Sequence, residues 1–123
     1  LNSSNQLVAW YQKELRTYTW GASVANPELS WIGYNIPNIR YDFENLLEES
    51  LIQSCAWRSV VANAWAFGQE CFMDEVAAEM KADPLAFRLS LLEEGRQAEV
   101  GHHQKVDNSR LIRVLKLAAA RAN

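Results

Sequence analysis

The dipeptide Asp83-Pro84 splits a long helical pattern in two, and it constrains the fold of this chain more than any other feature. Aspartate is a favoured N-cap because its carboxylate accepts hydrogen bonds from the free amides of a first helical turn. Proline fits the first helical position, where its missing N–H would have had no intrahelical partner. Upstream, positions 61, 64, 65, 68, 71, 72, 76 and 80 trace a helical stripe, with Asp74, Glu75 and Glu79 on the other side. Downstream, Leu85, Leu89 and Leu92 form a second stripe that Gly95 is expected to stop. Asp107 reads as the N-cap of a third helix, with Val106 and Leu111 placed as a hydrophobic staple across it. Leu111, Val114, Leu115 and Ala118 continue that helix's buried face, and "RQAEVGHHQK" reads as a polar connection.

The first half follows a different period. "LNSSN" is polar and frayed, and residues 7–19 are rich in Val, Trp, Tyr and Thr, which favours a strand. Gly21, Pro27 and Gly33 punctuate a loop. Pro37 pushes Ile36 out of the helical region, and Ile39, Tyr41 and Phe43 then alternate with Arg40 and Asp42 at strand period. "LLEESLIQSC" fits helix or strand. The pattern predicts an α+β fold, with short N-terminal strands followed by about three packed helices. Residues 1–57 form the strand- and loop-rich part of one unit, and residues 58–123 the helical part.

At 123 residues, 49% hydrophobic and 22% charged, the chain suits one globular core. A net charge of −3 without a basic run disfavours nucleic acid as a partner. No apolar stretch is long enough to span a membrane. Five tryptophans in so short a chain mark core or interface. Cys55 and Cys71 lack CxxC spacing; two free buried thiols are the preferred reading, with a disulfide between them as the alternative. The first residue is Leu1 and the last residues, "RAN", stand within a helical pattern, so a segment of something larger is expected.

Few residues offer chemistry by spacing alone. His102 and His103 are adjacent, so their side chains diverge, and no further metal ligand stands at suitable spacing beside them; they read as a solvated pair. Glu70, Asp74, Glu75 and Glu79 read as a solvated acidic face rather than an acid–base pair. Ser59 lacks a nucleophile elbow. Arg58 precedes a helix start, where amides and dipole already favour an anion, and its planar fork suits a carboxylate, a phosphate or a carbonyl oxygen. From spacing alone, a surface salt bridge or stacking on Trp57 is the preferred reading.

"YNIPNIRYDF", "AWRSV" and "NAWAFGQECFMDEVAAEMKADPLAFRLSLL" together resemble the large subunits of molybdenum hydroxylases, the xanthine dehydrogenase and aldehyde oxidase family. The nearest branch is the isoquinoline 1-oxidoreductase beta-subunit group, also described as membrane-bound aldehyde dehydrogenase-like. The similarity is strongest from 34 to 94, and "RLIRVLKLAAARAN" is similar to the next helix of that subunit. The resemblance implies hydroxylation of an N-heterocycle or oxidation of an aldehyde at a molybdenum-pterin dinucleotide. Electrons would leave through a [2Fe-2S] subunit or domain. It implies that Arg58 orients substrate and steadies developing negative charge, and that Ser59, Val60, Val61 and Ala62 neighbour the cofactor. Val61 and Ala62 stand where the family has glycines, and Ala64 where it has a glutamine. The catalytic base and most of the cofactor surface would lie in the remainder of the large subunit, so the piece alone would bind no cofactor and be inactive. The family's bacterial members occur in more than one compartment, cytoplasm or periplasm. The alternative reading is a non-catalytic protein-interaction module with a related fold.

Overall fold

Pro37 lies at a bend, and the strand that follows it pairs with the first strand of the chain. β2 (Asn38–Asn45) runs parallel to β1 (Ala9–Arg16), with Ala9 opposite Asn38 and Arg16 opposite Asn45. The structure is a computed structural model and describes residues 1–4, 6–16, 33–45, 62–100 and 104–122. Along β1, Trp10 is buried while Tyr11 and Lys13 are exposed, the alternation of a half-buried strand. The strand expected over 7–19 is therefore seen at 9–16, and residues 17–19 lie outside the described part, as does the ambiguous stretch 46–55.

α1 (Ala62–Glu79) ends in a Schellman motif. The Ala82 amide donates to Ala77 O at 2.9 Å and the Lys81 amide to Ala78 O at 3.0 Å, with Lys81 in the left-handed region at φ 54°. Glycine usually fills that position, because a Cβ there meets the neighbouring carbonyl. α2 (Pro84–Leu91) starts as its sequence predicts: Asp83 Oδ1 accepts from the Ala86 amide at 2.7 Å and Pro84 opens the first turn. Its end differs from expectation. Leu92, with extended backbone, is the C-cap, and Gly95 belongs to the turn beyond, at φ 79°.

The polar connection contributes two short paired strands. β3 (Gln97–Val100) pairs antiparallel with β4 (Gln104–Asp107), and the register sets Glu99 opposite Lys105. Its strands are four residues each, too short for hydrophobic alternation to reveal them. α3 (Asn108–Ala122) follows without a gap, and Asp107 caps it by accepting from the Ser109 amide at 2.8 Å. The fold is α+β, with the short strands first, as expected, and the hairpin inserted between the second and third helices.

The core gathers where the helices meet the bent segment before β2. Tyr34, Ile36, Trp10, Met73, Ala77, Phe87 and Leu92 are buried together, with Leu111, Ile112 and Leu115 of α3 packed against them. The rotation of α1 departs from the predicted stripe. Trp65, Gln69, Met73 and Ala77 face inward, whereas Cys71 and Phe72 are exposed. Cys71 is thus a free but exposed thiol, not a buried one, and Cys55 lies outside the described residues. α1 carries apolar residues around most of its circumference, so periodicity alone leaves its rotation undetermined.

Two capping substitutions test these assignments. Lys81→Gly should raise stability by about 1 kcal/mol by relieving the left-handed strain. Asp83→Ala should lower it by about 1 kcal/mol. Urea unfolding should show both as shifted midpoints with unchanged slope.

Candidate functional site

A single arginine inside the apolar face of α2 organises the polar chemistry of the described residues. Arg88 is only 8% exposed, and a buried guanidinium is tolerated only when its charge and N–H groups are answered. Its Nε donates to Glu70 Oε2 at 2.8 Å and one terminal nitrogen to Asp74 Oδ1 at 2.6 Å. The same nitrogen donates to Pro84 O at 3.2 Å, and the other to Glu70 O at 2.8 Å. Glu70 and Asp74 are four residues apart, so α1 presents them side by side and the planar fork spans both.

Tyr34 completes the cluster from the segment before β2. Its hydroxyl donates to the Glu70 carboxylate, with the two oxygens at 3.0 and 2.9 Å. Burial, and then the Glu70 charge beside it, push the Tyr34 phenol well above the ordinary tyrosine range. For Arg88, burial works to lower the pKa, but hydrogen bonds to Asp74 and Glu70 outweigh it and hold the guanidinium charged. The same segment ties down the other elements. The Asn35 amide donates to Leu91 O at 2.6 Å, and Asn108 Nδ2 donates to Gly33 O at 3.0 Å. Chemically, the cluster is a saturated ion-pair network, and four of the five N–H donors of Arg88 are engaged. It holds elements together and leaves little to offer a ligand.

Arg58, Ser59, Val60 and Val61 lie outside the described residues, as do His102 and His103. Ala62 is the first residue of α1. All four carboxylates of the acidic helix face are exposed, as expected, but Glu70 and Asp74 also pair with Arg88. Reading them as a solvated face did not reveal this pairing because the partner cation sits in another helix. One signal pointed to it, a lone arginine within the apolar run "LAFRLSLL".

A second feature is a shallow cleft of about 340 Å³ between β1 and α1, lined by Trp10, Gln12, Lys13, Trp65, Gln69 and Phe72. Trp10 and Phe72 meet edge-to-face with centroids 5.3 Å apart. Gln69 Nε2 and Trp10 Nε1 both donate to Gln12 Oε1, at 2.9 and 3.3 Å. Among the described residues no group of three His, Cys, Asp or Glu side chains could hold a metal ion. No described helix is long and apolar enough to cross a membrane. Comparison of the sequence with models of protein families and with curated proteins gives no match.

The network generates two predictions. Glu70 and Asp74 keep side-chain exposures of 48% and 60% and can rehydrate, so Arg88→Ala should cost about 3 kcal/mol, the low end for a broken buried pair. Chemical denaturation measures it, and Glu70→Gln should then add little in the Arg88→Ala background. The Tyr34 shift also has a pH signature. Its folded pKa lies above its unfolded one, so the unfolded chain loses the phenolic proton first. That stabilising contribution is complete below about pH 10 and is lost as pH rises further. Tyr34→Phe should flatten this alkaline decline relative to the parent chain.

Proposed function

We propose that this chain is a segment of a molybdenum-dependent oxidoreductase large subunit of the isoquinoline 1-oxidoreductase beta-subunit type. In that reading it supplies scaffold and substrate-pocket residues to a site that hydroxylates an N-heterocycle or oxidises an aldehyde, and it has no turnover by itself. The observation that carries the reading is the convergence of the residues on which the resemblance rests. Tyr34 and Ile36 belong to "YNIPN", Glu70 and Asp74 to "ECFMDE", and Asp83, Pro84, Phe87 and Arg88 to "DPLAFR". These motifs are far apart in the chain, yet Tyr34, Glu70, Asp74 and Arg88 form one network, while Ile36 and Phe87 share the core beneath it. A joint pattern whose members touch only in three dimensions supports one architecture more than any single motif does.

Within this proposal α1 is the rigid support for the residues just before it. Arg88 clamps α1 to α2, and Arg58 stands four positions ahead of Ala62, where α1 begins. A cation held there would orient a substrate oxygen and stabilise negative charge as it develops. Ser59, Val60, Val61 and Ala62 would border the cofactor, whose bound form supplies the oxidation. Ala62 has no side-chain donor, and the described residues present no metal-binding group, so no chemical step is routed through them. The partners in this reading are the remainder of the large subunit and a [2Fe-2S] subunit or domain. The second reading, a non-catalytic interaction module, draws on the exposed Phe67, Phe72, Val114 and Leu117.

The decisive test places Arg58→Ala in the complete subunit with cofactor loading verified. Turnover should fall on the order of a hundredfold, as for loss of one preorganised charge-stabilising group. Arg58→Lys should recover only part of it, because a point charge does not reproduce the planar fork. Unchanged turnover would refute the role of Arg58.

A further inference from the structure

The outer faces of α1 and α3 are opposite in charge, and each carries apolar side chains along its middle. On α3, Leu111, Ile112 and Leu115 pack toward the core, which turns Val114 and Leu117 outward, 55% and 54% exposed. Arg110 and Arg121 continue that ridge at helical spacing on either side, and Arg113 and Lys116 are exposed beside it. α3 holds four cations and no acid in a chain whose net charge is −3.

α1 shows the converse. It contains no Lys or Arg. With Met73 and Ala77 facing the core, Phe67, Cys71 and Ala78 run along the opposite side, and Phe67 is 75% exposed. Arg88 occupies Glu70 and Asp74, which leaves Glu75 and Glu79 to charge the outer face. Neither these two carboxylates nor the four α3 cations make an ion pair among the described residues.

We propose that this chain self-associates, the outer face of α3 in one copy docking on the outer face of α1 in another. Val114 and Leu117 would pack against Phe67 and Cys71, and the α3 cations would flank them opposite Glu75 and Glu79. The charge pattern supplies steering and register, and the two apolar ridges supply the dry contact. A lipid surface fits less well, because the exposed apolar part of α3 is two aliphatic side chains without an aromatic anchor. The contact joins unlike patches, so it closes into a pair when both copies exchange helices and otherwise grows head to tail. It holds whether or not the chain belongs to a hydroxylase.

Sedimentation velocity on the unmodified chain gives the first readout. Association should weaken about tenfold or more between low salt and 0.5 M NaCl, because rim charges act through screened attraction. The Arg113→Glu/Lys116→Glu variant should be monomeric, and so should Glu75→Lys/Glu79→Lys, because each gives like-charged faces. Mixing the two should restore association, which a general loss of folding could not produce. Leu117→Cys in a Cys55→Ser background should form a disulfide with Cys71 of another copy on mild oxidation. A chain monomeric at both salts overturns the proposal. So does a mixture of the two variants that stays monomeric. A monomeric chain that sediments with phosphatidylserine vesicles through the α3 cations would also overturn it and assign that face to lipid.

Discussion

The guanidinium buried between α1 and α2 dictates how the helices of this chain meet. An arginine on the apolar face of α2 cannot be left unanswered, so α1 must turn Glu70 and Asp74 toward it. That rotation places Met73 and Ala77 in the core and consigns Phe67 and Cys71 to the surface. Tyr34 then reaches the same carboxylate, which brings the segment Gly33–Ile36 against the helices. From there Gly33 holds the start of α3 through Asn108, and Asn35 holds the end of α2. One charge thereby sets the relative placement of four parts of the fold.

Much of this could be read from the amino acids, and the division between legible and hidden has a physical basis. Helix starts were legible at Asp83-Pro84 and Asp107, because capping is local chemistry between residues two or three apart. The strand β2 was legible because its residues repeat at a period of two after Pro37, although Ile39 proves to be exposed. Helix ends were not: Lys81 occupies the left-handed position where glycine is the usual mark, and Gly95 marks a turn instead. The β3–β4 hairpin was hidden by its short polar strands. The network around Arg88 was hidden because its partners lie 14, 18 and 54 residues away, and periodicity carries no information over such separations.

The same division separates architecture from chemistry. The described residues on which the proposed family reading leans are caps, core residues and members of the ion-pair network. Such residues are held by mutual geometry, so a pattern of them speaks chiefly about the scaffold. The residues proposed to act on substrate, Arg58 above all, precede α1 in sequence, and in that proposal α1 would position them. A substitution in the network would then affect activity indirectly, through the angle at which α1 leaves the preceding chain.

The hydrogen bond from Asn108 to Gly33 closes a loop of 75 residues. Its entropy of closure must be met before the bond offers any return, while the α1–α2 pairing through Arg88 spans only 14 to 18 residues. The helical pair therefore has the kinetic advantage, and docking of the third helix onto the pre-β2 segment is a late event. A ribosome would also release α3 after the segment it docks on, so the order of synthesis and the contact topology favour the same assembly order.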